Sequence, residues 1–330
     1  MVMKYCLTPG CVSGILADMA RKLRIEYPGA VYQVMNRGDR RAAIFRGEAD
    51  YHLFLQTLAE ACKKAGSQVH AYCLMPNHFH LVLETPQPTL VAGLKWLLGT
   101  YTGRFNRRHR QFGHLFSGRY KALLVDGSRN GYLKTVCDYV HQNPARARLL
   151  KAAQPLARYR WSSYPLYLAP PRQRPAWLRV DRLLGEWGVP KDSAAGRQVF
   201  AAGLEQRRTE DLRAVNRRIE RGWFVGNEEF RQELLAQVTV APGAAHYGEA
   251  VQEAVAEQAE RFVAERLHAL GWRAADLTAR RKGDPTKVKL ALAVRAQTTM
   301  PLAWIANRLA MGSRGYLTWL LHRQRVEAKI

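Results

Sequence analysis

The stretch Cys73–Glu84 reads CLMPNHFHLVLE and holds the pattern that decides the fold of this 330-residue chain. After the turn signal Pro76-Asn77, apolar residues alternate closely enough to predict a short strand. Side chains two residues apart on a strand lie on one face, so His78 and His80 are expected to point together, opposite to Phe79. Two imidazoles on one face can bind a divalent metal, although a solvated sheet face could carry the same pair.

The composition is strongly basic, because 51 Lys and Arg face only 27 Asp and Glu, for a net charge of +24. Such an excess repels itself unless a polyanion offsets it. Nucleic acid is therefore the leading expected partner, and an acidic membrane surface is the second. The sequence has no run of about 18 apolar residues, so it predicts no membrane-spanning helix.

The cysteine pattern argues against a disulfide framework and against a zinc knuckle. The five cysteines are Cys6, Cys11, Cys62, Cys73 and Cys137, an odd number with no CxxC pair. This usage is typical of a reducing cytoplasm. Residues 1–18 lack a signal-peptide pattern, and we interpret them as an N-terminal extension upstream of a natural start at Met19.

Periodicity on both sides of the histidine strand predicts an α+β fold. Further strands are predicted at Ala30–Arg37, Val69–Leu74 and Arg119–Val125, and helices over Glu48–Ala65, Thr89–Asn106 and Ser128–His141. Too few residues separate the second strand from the histidine strand for a crossover, so the two are expected to pair antiparallel. The order strand, helix, strand, strand, helix, strand is the ferredoxin-like split βαβ pattern with an antiparallel sheet, here followed by one added helix.

The added helix carries a second candidate site in the motif Tyr139-Val-His-Gln-Asn143-Pro144. Residues four apart share a helix face, so Tyr139 and Asn143 are expected to project together. Tyr132 lies one heptad earlier on roughly the same side. Each tyrosine alone also fits a half-buried packing residue with a hydrogen-bonded hydroxyl. His141 is expected to be a surface group, or a group that supports a neighbour, rather than a ligand.

Four motifs in order resemble the REP-associated tyrosine transposases, which belong to the single-tyrosine HUH transposase superfamily. They are Pro76-Asn-His-Phe-His80, Gly113-His-Leu-Phe-Ser-Gly-Arg-Tyr-Lys121, Tyr139-Val-His-Gln-Asn-Pro144 and Trp161-Ser-Ser-Tyr164. The resemblance covers about half of the chain, and we assign residues 19–168 to this domain.

The resemblance implies a metal-dependent enzyme. His78, His80 and Asn143 would bind Mg²⁺ or Mn²⁺, and Tyr139 would attack single-stranded DNA to form a 5′-phosphotyrosine link. The implied substrate is a hairpin of a palindromic repeat with a short single-stranded guide. The candidate DNA contacts in this domain, each of which also fits a solvated charge, are Arg37, Arg40, Arg41, Arg104, Arg107, Arg108, Arg119 and Lys121.

The second half is predicted to be all-α. A proline-rich linker at 169–176 leads to a basic helical region at 177–240, a flexible joint is predicted at 241–246, and a helical domain follows at 247–330. Residues 287–323 have the pattern of a helix-turn-helix and resemble the DNA-binding domain of the replication initiator DnaA. Its recognition helix would direct Ser313, Arg314, Tyr316 and Thr318 toward duplex DNA. A small bundle that packs on the catalytic domain or on another chain is the alternative.

Three functions are consistent with these patterns. The leading one is a transposase that cuts and joins single-stranded hairpin DNA, acting in the bacterial cytoplasm in association with the nucleoid, as a monomer or a homodimer. The second is a non-enzymatic, domesticated DNA-binding regulator that uses the helix-turn-helix. The third is an RNA-binding or replication-initiation protein. The intact set of two His, one Tyr and one Asn favours the enzyme over the regulator.

Overall fold

The computed structural model describes residues 25–128, 131–210, 213–240 and 249–327. The N-terminal extension expected at 1–18 and the joint predicted at 241–246 lie outside these described residues. None of the helices in the described ranges combines the length and the apolar character needed to cross a membrane.

One mixed sheet organises the first half of the chain. Its strands are β1 Ala30–Arg37, β2 Gln68–Met75, β3 His78–Thr85, β4 Lys121–Val125 and β5 Phe224–Val225. Within the described residues the order is β2-β3-β1-β4-β5; the first four pair antiparallel and β5 runs parallel to β4. The predicted α+β fold is confirmed, and the parallel β5 is an addition that the sequence analysis missed.

Helices cover both faces of the sheet, and loops and short 3-10 turns connect them in the described chain. The helices are α1 Glu48–Ala65, α2 Leu90–Arg108, α3 Tyr132–His141, α4 Asn143–Arg146, α5 Tyr164–Leu168, α6 Asp181–Glu186, α7 Ala194–Gln206, α8 Arg213–Arg221, α9 Glu228–Val240, α10 Glu249–Ala269, α11 Ala274–Ala279, α12 Pro285–Gln297, α13 Leu302–Arg308 and α14 Arg314–Glu327. Helix α1 matches its predicted bounds, because Gly66 adopts a left-handed φ of 67° and ends it.

The alternation of side chains along the strands separates two apolar cores. On one face, Phe79 and Leu81 of β3 belong to a core that α1 and α2 cover. On the other face, Val82 of β3 belongs to a core that includes Val136 and Val140 of α3. His78 and His80 share the parity of Val82, so the pair faces α3, as the period of the strand predicts.

Part of the region 177–240 builds on the same sheet. The amide of Val69 in β2 donates to the carbonyl of Trp177 (3.0 Å), and the amide of Leu124 in β4 donates to the carbonyl of Trp223 (3.1 Å). Residues Pro171–Gln173, inside the predicted linker, form one turn of 3-10 helix. The domain boundaries stay predictions, although these contacts tie residues beyond 176 to the sheet of the first half.

The C-terminal helices α10 to α14 share an apolar core of their own. The fully buried Lys287 of α12 donates from Nζ to the carbonyls of Leu277 (2.9 Å) and Ala310 (2.8 Å), so it joins the end of α11 to the turn after α13. Lys64 of α1 donates to the carbonyl of Thr298 (3.2 Å), which follows α12. This core therefore contacts the first half of the chain through α1.

Candidate active site

The two histidines lie side by side at one end of β3. Their ring centroids are 5.1 Å apart, and His80 is buried while His78 is half-buried. Burial, followed by the positive charge of Arg37, lowers the pKa of His78 to about 4. Burial, followed by the charges of His78, Arg146 and Arg37, holds the pKa of His80 well below its usual value. Both imidazoles are therefore neutral at pH 7, the form in which a ring nitrogen can bind a metal.

A carboxamide contacts the Nδ1 atom of each histidine. Nδ1 of His78 lies 2.8 Å from Oδ1 of Asn77, to which it donates, so Nε2 keeps a free lone pair. Nδ1 of His80 lies 3.0 Å from Nε2 of Gln33 on β1. A half-turn of the Gln33 amide would present Oε1 instead, and Nδ1–H could then donate to it and leave Nε2 of His80 free.

Tyr139 faces the histidines from α3. Its ring centroid lies 5.9 Å from that of His80, and only 7% of its surface is exposed. Burial raises the pKa of the Tyr139 phenol, the positive charge of Arg146 opposes this, and the negative charge of Glu220 on α8 raises the pKa further. Tyr132, the second candidate, is half-buried and packs on the core that α3 covers. The structure therefore brings Tyr139 of α3 close to His80 of β3, and their roles stay predictions.

Arg146 is a member of this site that the sequence analysis missed. Its guanidinium carbon lies 3.7 Å from the centroid of the Tyr139 ring. Its Nη2 donates to the carbonyl of Tyr139 (2.6 Å) and to Oδ1 of Asn143 (2.9 Å). The only sequence signal was its spacing, three residues after Asn143 and seven after Tyr139. Arg146 fixes the positions of both residues relative to each other.

The donors present fit a weakly bound divalent cation. Asn143 is 7% exposed; its Oδ1 keeps a second lone pair beside the Arg146 bond, and its Nδ2 is buried without a partner in the structure. The described residues contain no group of three His, Cys, Asp or Glu side chains that could hold a metal. Two neutral imidazoles and one amide oxygen are therefore a sparse set, without a carboxylate to offset a double charge.

His141 is not a surface group. It is 1% exposed, and its Nε2 lies 2.8 Å from Oγ of Ser163, which also accepts from the amide of Tyr72 at 2.8 Å. Burial lowers the pKa of His141 to about 3. This contact gives the Trp161–Tyr164 motif a structural role, because Ser163 ties α3 to β2.

The predicted DNA contacts of the catalytic domain fall into two groups. Arg37 pairs with His78 in the β1–β3 register, and Arg40 and Arg41 follow it in an exposed turn with left-handed φ values of 49° and 63°. Exposed positions are also found for Arg107, Arg108, Arg119 and Lys121, although Arg108 pairs with the buried Asp50 of α1 (3.3 Å). By contrast, Arg104 donates to Glu60 (2.9 Å) and to Thr57 (2.8 Å) of α1, on the sheet face opposite the histidines.

The predicted recognition residues lie at the start of α14. Ser313, Arg314, Tyr316 and Thr318 are all exposed. Two of these side chains bond to the backbone of α14. Oγ of Ser313 accepts from the amide of Tyr316 (3.2 Å), and the hydroxyl of Thr318 donates to the carbonyl of Arg314 (2.8 Å). The Tyr316 ring stacks on the exposed Trp319 with a centroid distance of 5.8 Å.

Comparisons with known proteins bear on the first half of the chain. Residues 27–143 match the family model described as "Transposase IS200 like". That span contains His78, His80, Tyr139 and Asn143, whereas the helix-turn-helix pattern lies outside it. The chain is also similar to a solved structure described as "Structure of the REP associates tyrosine transposase bound to a REP hairpin". The identity is 13% and the TM-score 0.39, over 50% of this chain and 93% of that chain. No curated protein matches the sequence.

Proposed function

We propose that the chain cuts and rejoins single-stranded DNA at hairpins, with Tyr139 as the nucleophile. One observation carries the proposal: Tyr139 lies 5.9 Å from His80, on the sheet face that also presents His78. The match of residues 27–143 to IS200-like transposases supports the same function. The net charge of +24 favours a polyanionic substrate.

The chemistry balances without an external energy source. The Tyr139 oxygen attacks a backbone phosphorus, the bond to the 3′ oxygen breaks, and the products are a 5′-phosphotyrosine and a free 3′-OH. A tyrosine phenol is protonated at neutral pH, since its ordinary pKa is near ~10, and burial raises the pKa of Tyr139 above that. The hydroxyl therefore needs a proton acceptor. Glu220 of α8, whose negative charge acts on the Tyr139 phenol, is the proposed group for that role. The covalent link stores the bond energy, and a second 3′-OH can attack it to join a new strand.

Metal binding by His78, His80 and Asn143 is part of the proposal. A bound Mg²⁺ or Mn²⁺ would polarise the phosphate and stabilise the charge that develops on it. Arg37 and Arg146 place positive charge near His80, and this charge disfavours the binding of a metal cation when no DNA is present. We therefore expect the ion to bind together with DNA, whose phosphate adds negative charge and oxygen ligands.

The test is the Tyr139→Phe variant, which removes the attacking oxygen and keeps the ring that packs under Arg146. Incubated with a labelled single-stranded hairpin and Mn²⁺, the wild type should form a covalent adduct, and the variant should form none while it binds the hairpin normally. Tyr132→Phe is the matched control and should form the adduct. An adduct in Tyr139→Phe that disappears in Tyr132→Phe would move the nucleophile to Tyr132.

A second candidate function is duplex DNA binding by the C-terminal helices. The exposed start of α14 carries Arg314, and the side chain of Lys282, on the exposed loop before α12, lies close to Gly312. Such a basic surface suits phosphate contacts. Arg314→Ala should weaken binding to a hairpin-free duplex, whereas Arg172→Ala, also exposed, should not. If Tyr139→Phe and wild type are both inactive and Arg314→Ala loses duplex affinity, the chain is a DNA-binding regulator.

A further inference from the structure

Phe112 stands out from the other large apolar side chains of its segment. It is 99% exposed, whereas Phe105 before it and Leu115 and Phe116 after it are buried. A large aromatic ring left entirely in water forgoes the burial that normally stabilises it. Single exposed apolar residues are common in proteins, so the exposure gains meaning only from how the ring is held and what surrounds it.

The loop that carries Phe112 is held by hydrogen bonds. Asn106 of α2 donates from Nδ2 to the carbonyl of Gly113 (2.9 Å) and accepts at its own carbonyl from the amide of Gln111 (2.9 Å). The Gln111 side chain in turn accepts from Arg46 (2.7 Å). Gly113 has a φ of 92°, which a residue with a side chain rarely adopts. The backbone on both sides of Phe112 is therefore fixed, and the ring is directed outward by the fold.

The chain segment that carries the ring is basic. The sequence contains no Asp or Glu between Glu84 and Asp126. Close to Phe112 in the chain, Arg107, Arg108 and Arg110 are exposed, and Arg108 also pairs with the buried Asp50 of α1 (3.3 Å). An aromatic face framed by arginines is the combination that single-stranded nucleic acids favour, since the phosphates meet the charges and a base can stack on the ring.

The loop also lies at the catalytic end of the sheet. The amide of Asp39 donates to the carbonyl of Leu115 (2.9 Å), and the amide of Ser117 donates to the carbonyl of Arg37 (2.8 Å). Arg37 is the residue that pairs with His78 across β1 and β3. The segment that presents Phe112 is thus bonded to the turn directly beside the first histidine.

We propose that Phe112 is a stacking platform for an unpaired base of single-stranded DNA, with Arg107 and Arg110 on the flanking phosphates. The inference rests on the proposed function, because it assigns a subsite for the strand that Tyr139 cuts. It adds a binding determinant that needs no metal and takes no part in bond cleavage. A base stacked there leaves the phosphate backbone free to run toward His78.

The test measures affinity with two DNA probes and the full chain in the Tyr139→Phe background, so that no DNA is cut. One probe is a hairpin with an unpaired extension that contains 2-aminopurine, and the other is the same hairpin with a blunt end. Phe112→Leu keeps an apolar side chain but removes the aromatic face, and should weaken binding of the extended probe by about 5- to 30-fold. Binding of the blunt probe should change less than twofold.

Three further variants make the result specific. Phe112→Trp keeps an aromatic face and should bind like the parent. Asn106→Ala, which releases the loop, should lose affinity for the extended probe. Val199→Ala, an exposed apolar residue on α7, should change nothing. Quenching of 2-aminopurine should be present in the parent and absent in Phe112→Leu.

Two outcomes would overturn the proposal. Equal affinity of parent and Phe112→Leu for the extended probe means that no base stacks on the ring. A change of oligomeric state in Phe112→Leu with unchanged DNA affinity means that a second copy of the chain covers it. Neither outcome touches the proposed function, which fails separately if the wild type forms no Tyr139 adduct.

Discussion

Replacing Arg146 by alanine should slow DNA cleavage far more than it weakens DNA binding. The side chain donates to the Asn143 oxygen and to the Tyr139 carbonyl, and its guanidinium covers the Tyr139 ring. A hydrogen bond from a charged donor contributes about 1.5–3 kcal/mol, and a cation–π contact about 0.5–2 kcal/mol. If the variant loses about 2–4 kcal/mol of the interaction free energy that positions Tyr139 and Asn143 in the transition state, the cleavage rate falls by about 30- to 1,000-fold.

The assay is single-turnover cleavage of a labelled hairpin at saturating protein, with affinity measured separately by anisotropy. Arg146→Lys keeps the charge but cannot lie flat on the ring and reach two acceptors, so its rate should fall between those of wild type and Arg146→Ala. Arg148→Ala is the control, because Arg148 is exposed and carries the same charge two residues later. Equal losses in the Arg146 and Arg148 variants would refute the positioning role and leave only a general effect of charge.

Three more outcomes follow from the site. EDTA should abolish cleavage while hairpin binding persists, and full activity in EDTA would contradict a metal role for His78 and His80. Glu220→Gln should lower the cleavage rate by about 10- to 100-fold, with the exposed Glu229→Gln as control; an unchanged rate would exclude Glu220 as the proton acceptor. The pKa of His141 is about 3 in the folded chain and near ~6.5 unfolded. The unfolded chain therefore binds the proton more readily than the folded chain. The contribution of His141 to the free energy of unfolding is fully present above pH 6.5 and is lost as the pH falls toward 3. Lowering the pH from 7 to 5 should therefore reduce the free energy of unfolding by about 2 kcal/mol through His141. In urea titrations, the fall in unfolding free energy between pH 7 and pH 5 should be smaller by that amount in His141→Gln than in wild type. Equal falls in the two proteins would contradict the lowered pKa of His141.

The catalytic sheet and the facing of its histidines could be predicted from the sequence because both follow from a period of two. The alternation in β1 and β3 is long enough to specify the strands, and it places His78 and His80 opposite Phe79. Helix α1 could be predicted with its bounds because its apolar spacing ends at a glycine.

Other parts of the site could not be predicted, since they arise from packing between segments distant in the chain. Arg146 is an ordinary arginine in the sequence, and its role depends on the short helix α4, from which it reaches the Tyr139 ring. Gln33 occupies a polar position of an alternating strand, and only the β1–β3 register brings it to His80. Glu220 reaches Tyr139 from a helix that the sequence analysis described only as basic and helical. His141 was expected to be a surface or supporting group, yet it is buried against Ser163.

The roles of the individual residues and the requirement for a metal stay predictions. The aromatic residues near the end of α2 show why the role of a residue cannot be assigned from composition alone. Phe105 and Phe112 look equivalent in the sequence, but one is buried in the core and the other is 99% exposed. Helical period separates them only when the end of the helix is known. That end lies at Arg108, and Arg110 two residues later has a left-handed φ of 50°.

The short strand β5 has a consequence for how the chain is made. Leu124 pairs with Phe224, 100 residues later, so β4 keeps an open edge until that segment has left the ribosome. At typical translation rates the delay is about 5–20 s. During this time the nascent sheet presents unpaired backbone groups, which favour association with other chains. A fragment that ends at residue 168 would keep this open edge permanently, and the full chain should therefore be recovered from cells with less aggregation than the isolated catalytic segment.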